Sequence, residues 1–183
     1  MSEPQRQLLL DHQAVRRILA RMAHEVVEQA GGIERLTLVG IHRRGVHLAN
    51  WLAREIENAE GVAPATGTLD ITLYRDDLMA IGPRPVVGET RLPIDGIEQR
   101  AVAIVDDVLF TGRTVRAALD ELTDFGRPSR ILLCVLVDRG GRELPIQADI
   151  VGKSYNIPSG DLVEVMVPEI DGQLGVALVK ESR

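Results

Sequence analysis

The sequence predicts an α/β fold: a mainly parallel central sheet flanked by helices, with a small hood or lid region. Three observations predict it. RLTLVGIH, RAVAIVDD and RILLCVLVDRG are near-continuous apolar runs, the pattern of strands buried on both faces. Segments of helical periodicity separate them, a strand, helix, strand rhythm that goes with parallel pairing. A chain of 183 residues that is 45% hydrophobic and 26% charged suits one globular domain over residues 1–183.

Taken in order, the segment from Asp11 places Val15, Ile18, Leu19, Met22, Val26 and Val27 on one helical stripe, with Asp11 as N-cap and Gly31 as stop. RLTLVGIH is a strand, and after Arg43, Arg44 and Gly45 a second helix, VHLANWLAREIENA, runs to Gly61. TLDITLYRDD, residues 68–77, alternates as a strand does. The Pro- and Gly-rich stretch that follows predicts a lid over a site at about residues 80–98. RAVAIVDD, a helix from about Thr114 to Phe125, and RILLCVLVDRG complete the rhythm; the remainder reads as short strands and turns.

A net charge of -6 excludes an overall positive field toward nucleic acid, so RNA binding requires a local basic face. The single cysteine, Cys134, lies in the apolar run ILLCVLV and reads as a buried structural thiol. The leucines of MSEPQRQLLLDHQ are too few for a signal-peptide core, and no segment approaches the roughly 20 apolar residues of a membrane span. A cytoplasmic protein with no membrane partner is expected. His12, His42 and His47 show no metal-ligand spacing.

The chemistry is concentrated in VAIVDDVLFTGRT, residues 102–114. Val102, Ala103, Ile104 and Val105 enter the carboxyl end of a buried strand, Asp106 and Asp107 sit at its tip, and TGRT opens the next helix. Open α/β sheets bind ligands at such places. A helix N-terminus offers unpaired amides and a positive dipole end, so Thr111, Gly112, Arg113 and Thr114 can wrap a phosphate, with Gly112 permitting close backbone approach. Asp106 and Asp107 repel phosphate; their partners are sugar hydroxyls or a divalent cation that carries the phosphates. A plainer reading makes the aspartates helix caps and the threonines turn residues, which leaves the second aspartate without a role.

This string closely resembles the phosphoribosyl pyrophosphate loop of type I phosphoribosyltransferases. VDDVLFTGRTVRAALDEL, DITLYRDDL, LVGIHRRG and VLVDRGGRELPIQAD, in this chain, resemble more narrowly the PyrR proteins, over about residues 8–155. The resemblance implies the type I phosphoribosyltransferase fold and a uracil phosphoribosyltransferase that joins uracil to phosphoribosyl pyrophosphate, giving UMP and pyrophosphate. Mg²⁺ would come with the substrate, with no direct protein ligand assigned. Asp106 and Asp107 would hold the ribose hydroxyls and act as the catalytic pair. The loop Val108, Leu109, Phe110, Thr111, Gly112, Arg113 and Thr114 would hold the 5'-phosphate. Arg43, Arg44 and Gly45 match the family's pyrophosphate loop, and Arg75 is expected to add charge there. Arg139 and Lys153 are expected near the base, although GKSYNIPSG departs from the family's GKN followed by I/V-P-T-S.

The resemblance also implies a homo-oligomer and a UMP-responsive RNA-binding regulator that acts on the mRNA leader of pyrimidine genes. Arg17, Arg21 and His24, at i, i+4 and i+7, form the expected RNA-binding stripe, against a plain solvated helix face as the bland alternative. Where the family often has Thr, Arg, His and Arg, this chain has Ala20, Gln29, Gly141 and Gln147. A UMP-sensing regulator with little turnover is the competing class. A phospho-acceptor receiver domain has no use for TGRT directly after the acidic pair, and a P-loop kinase would need the GxxxxGK[ST] string that is missing here.

Overall fold

A computed structural model describes residues 5–74 and 88–180. The chain opens with β1 (Arg6–Leu10), α1 (His12–Ala30), β2 (Leu36–Ile41), α2 (Arg44–Glu60) and β3 (Ala65–Leu69), then a 3-10 turn at Thr72–Tyr74. It continues with β4 (Ala101–Leu109), α3 (Arg113–Asp124), β5 (Arg130–Asp138), β6 (Ile150–Ser154), β7 (Leu162–Met166), the short α4 (Pro168–Asp171) and β8 (Gly175–Val179). The central sheet is parallel throughout, in the order β3-β2-β4-β5-β6.

Strand alternation divides the core into two halves. Ala103, Val105, Leu132 and Cys134 pack with α1 and α2 on one face; Val102, Ile104, Leu133 and Val135 pack with α3 on the other. The α1 stripe is as the sequence predicts, with Val15, Leu19, Met22 and Val26 buried. Asp11 caps it, its carboxylate accepting the Ala14 amide at 2.8 Å, and Gly31 ends it at φ 76°. Burial of Cys134 pushes its thiol up to about 12, in keeping with a structural role.

Two findings differ from the sequence reading. First, RQLLL is a strand, and β1 pairs with β8 in a separate antiparallel sheet, β1-β8-β7, which packs Val165 and Val176 onto the α1/α2 face. Second, the strand expected at 68–77 ends at Leu69. The Asp70 carboxylate takes the Thr72 amide at 2.8 Å and the Thr72 hydroxyl, a local alternative that turns the chain out of the ladder. Residues 80–87 of the expected lid, like Arg75, lie outside the described residues; beyond them Arg91 pairs antiparallel with Thr68 on the outer edge of β3. Among the described residues no helix is long and apolar enough to cross a membrane.

Candidate functional site

β2 and β4 are neighbours, so the turn after β2 and the acidic end of β4 meet at the same edge of the sheet. Between them lies a cavity of about 570 Å³, lined by His42, Arg43 and Arg44 on one side and by Asp106, Asp107, Val108 and Thr114 on the other. Backbone approach sets its floor. A Cβ on Gly45 would lie 2.5 Å from the Val105 carbonyl, and one on Gly40 would lie 2.5 Å from the Gly45 carbonyl. Only glycine at both places lets α2 begin directly on β2 and β4. The His42–Arg43 peptide is cis, and the His42 amide donates to the Leu69 carbonyl at 2.9 Å.

Neither aspartate caps α3. Asp106 accepts the Asp107 amide at 2.9 Å and Asp107 accepts the Val108 amide at 2.8 Å, while the helix N-terminus has no side-chain cap. The aspartate half of the plainer reading therefore fails, while Thr111 does serve a turn: its hydroxyl accepts the Arg113 amide at 3.3 Å and its carbonyl the Glu143 and Leu144 amides at 3.0 and 3.1 Å. Asp106 is only 6% exposed. Burial, and next the charge of Asp107, push its carboxyl well above the ordinary carboxylate range. Gly112 starts α3 at φ 94°, a left-handed conformation that a side chain would strain.

The remaining expected residues separate into groups. Val102, Ala103, Ile104 and Val105 are strand interior, at most 1% exposed, so they build the wall behind the cleft and do not line it. Arg113 turns away to pair with Glu143 at 2.7 Å. Arg44 pairs with Asp171 at 3.0 Å, and Arg43 is exposed at the start of α2.

Phe110 and Arg139 form a unit. The Arg139 guanidinium lies 3.9 Å from the Phe110 ring centroid and donates to the Asp161 and Pro158 carbonyls at 2.8 and 3.2 Å. At 3% exposure it is buried, and burial pushes its pKa down. Arg142 knits the same loop, donating to the Phe110 carbonyl at 2.9 Å and pairing with Asp138.

Lys153 is not brought to Arg139. It lines a separate open groove with Arg17, Arg21, Leu10, Ala14, Ile18 and Gly152. Arg21 shares that groove with Arg17 and is anchored in it: it donates to the Val151 and Gly152 carbonyls at 3.0 and 2.6 Å and pairs with Glu25 at 2.9 Å. His24 is exposed on α1 outside the groove lining.

Sequence reasoning missed Asp70, which lines the cleft together with Thr72 and Gly88. Besides both Thr72 donors, its carboxylate accepts the Gly88 amide. Burial pushes its pKa up, but hydrogen bonds from the Thr72 side chain and the Thr72 and Gly88 amides outweigh it and the net shift is downward. An Asp followed two residues later by Thr is the signal that could have found this turn.

Chemically, the cleft gathers two carboxylates, the first-turn residue Thr114 and a guanidinium-bearing turn around one space, groups able to meet hydroxyls and anionic oxygens. Among the described residues no group of three or more His, Cys, Asp or Glu could hold a metal ion.

Residues 5–165 match the family model described as phosphoribosyl transferase domain. The bifunctional protein PyrR of Thermus aquaticus is 56% identical over 170 residues, 93% of each chain. That of Deinococcus deserti is 53% identical over 178 residues, 97% of this chain and 96% of the relative. The hypoxanthine phosphoribosyltransferase of Trypanosoma cruzi superposes with TM-score 0.70 at 18% identity, covering 96% of this chain and 97% of its own. The Staphylococcus aureus hypoxanthine phosphoribosyltransferase gives 0.66 at 21% identity, with 96% and 92% covered. At these identities the structural likeness is one of fold.

Proposed function

We propose, from the premise that this chain belongs to the phosphoribosyl transferase domain family and within it to the PyrR proteins, that it is a uracil phosphoribosyltransferase and a UMP-responsive RNA-binding regulator of pyrimidine genes. The observation that carries the enzymatic half is the meeting of the Asp106–Asp107 pair, Thr114 of the first turn of α3 and the Arg43–Arg44 turn around one cavity.

In this reading the bond between ribose C1 and a pyrophosphate oxygen breaks with its electron pair leaving on pyrophosphate. Positive charge is left on C1 and the ring oxygen; uracil N1 bonds to C1 and gives up its proton to the departing pyrophosphate or to water. The protein's work is positioning and charge stabilisation, and no covalent nucleophile is needed. Asp106 and Asp107 hold the ribose hydroxyls. Thr111, Gly112 and Thr114, with the first amides of α3, hold the 5'-phosphate. Arg43, Arg44 and the closely packed Gly45 receive the diphosphate. Mg²⁺, when bound, neutralises pyrophosphate charge, and Asp106 and Asp107 are the residues that would face it. Phe110, propped by Arg139, stands on the base side of the loop. The working form is a homo-oligomer in the cytoplasm.

A base-panel turnover assay with and without Mg²⁺ tests this. Pyrophosphate release is expected with uracil and Mg²⁺, and much slower release with hypoxanthine or without metal; preference for a purine would overturn the uracil assignment.

The regulatory half rests on the groove of Arg17, Arg21 and Lys153, cations from α1 and β6 that face one open surface on an acidic protein. Phosphate contacts of this kind release counterions and make binding salt-dependent. Arg17→Gln with Arg21→Gln is expected to spare turnover, weaken binding of the pyrimidine-gene leader RNA, and flatten its logarithmic salt dependence by about 1.4–1.8, at about 0.7–0.9 per lost phosphate contact. A filter-binding titration over several salt concentrations reads this, and wild-type affinity in the double variant would remove the groove as the contact surface.

A further inference from the structure

We propose that Asp171 is a positioning residue for the diphosphate end of the cleft, holding the Arg44 guanidinium at the cavity wall. The inference rests on the reading of that cleft given above and adds a residue from the small antiparallel layer, outside the loops that line the cavity.

The geometry is a clasp. Arg44 opens α2 and lines the cavity, and its Nη2 donates to Asp171 Oδ1 at 3.0 Å. Asp171 is not free to follow a moving arginine, because its Oδ2 accepts the Val167 amide at 2.8 Å. One carboxylate thus joins the backbone entering α4 to a cation of the cleft. The Arg44–Asp171 pair is largely screened from water, with side chains 30% and 19% exposed. Arg44 Nε is buried with no hydrogen-bond partner among the described residues, so Asp171 is the side chain among them that fixes this guanidinium.

An arginine left loose must be ordered each time a diphosphate binds. One already fixed at a planar carboxylate presents its remaining donors at no further loss of freedom.

The anchorage of α4 itself is shared with a second acid. Glu169 accepts Trp51 Nε1 at 3.0 Å and lies 4.0 Å from His47 Nδ1, so α4 is seated on α2 at positions 44, 47 and 51, one helical face. This gives the comparison a structural role cannot mimic: Glu169 seats α4 without touching Arg44, whereas Asp171 does both.

Steady-state kinetics with each substrate varied in turn tests the proposal. Asp171→Asn, whose amide oxygen can still accept the Val167 amide while its NH₂ cannot accept from Arg44, and Asp171→Ser are expected to raise KM for phosphoribosyl pyrophosphate about five- to tenfold, the equivalent of one long side chain's lost order. KM for uracil and kcat should stay within about twofold of wild type, a change too small for a lost transition-state contact. Asp171→Glu, which keeps the charge, should recover most of the phosphoribosyl pyrophosphate KM, and Glu169→Gln should leave it unchanged. The proposal is overturned if both Asp171 variants keep the wild-type value, or if Glu169→Gln raises it equally. Absence of turnover in the wild-type protein would instead defeat the reading of the cleft itself.

Discussion

Asp70 and Asp106 stand at the carboxyl ends of β3 and β4, two strands of one sheet, and both are nearly buried, at 8% and 6% exposure. Their surroundings are opposite. Asp70 is surrounded by donors: the Thr72 amide and hydroxyl and the Gly88 amide all point at it. Asp106 receives the Asp107 amide, shares a side-chain hydrogen bond with Asp107 and faces that second carboxylate's charge. Burial raises both pKa values, yet the donors around Asp70 bring it back below its ordinary value while Asp106 stays well above its own. Burial therefore does not distinguish a fastener from a ligand-facing group; the supply of donors does. Among the described residues Asp70 is ringed by donors, while Asp106, with fewer of them, lines the cleft.

The largest expected effect probes the donor-poor side. Asp106→Asn with Asp107→Asn should lower turnover by about 100-fold or more, in line with removal of preorganised charge from an active site. The far-ultraviolet dichroism should be unchanged, and wild-type turnover in that variant would dissolve the contrast. Next comes the donor-rich side. Asp70→Asn replaces a saturated carboxylate by a group that cannot accept at both oxygens, and should cost about 1–3 kcal/mol, or about 2–12 °C in Tm for a chain of this size.

The smallest effect is the most diagnostic. The lowered pKa of Asp70 means its stabilisation is present above the ordinary value of 3.8 and lost as pH falls through the folded value, so the penalty of Asp70→Asn should shrink on acidification. The raised pKa of Asp106 has the opposite sign. Stability relative to the ionised form is present below 3.8 and lost as pH rises through the folded value, so Asp106→Asn alone should raise Tm slightly at neutral pH and lose that advantage in acid. Thermal melts between pH 3 and 8 read both slopes, and parallel slopes would remove the distinction.

What could be read from the sequence follows the range of the interactions involved. α1 was legible because its caps, Asp11 and Gly31, and its apolar stripe are local. The buried strands and the acidic loop were legible because apolar runs and the Asp-Asp, Thr-Gly spacing are local too. β1 was not, since RQLLL becomes a strand only by pairing with β8, near the other end of the chain. The end of β3 was misplaced because alternation over TLDITLYRDD competes with one side chain, Asp70, that captures the next turn. At the site, the same limit applies. Arg44 was legible as a cleft residue but its tie to Asp171 was not, and the neighbourhood of Lys153 belongs to α1 rather than to Arg139.

The acidic pair is carried by β4, the middle strand of five, hydrogen-bonded to β2 on one side and β5 on the other. Fraying begins at the edges of a sheet, and β4 has a strand on either side. On heating, loss of catalysis and loss of the folded state should therefore arrive together, without an interval in which a folded but inactive molecule accumulates.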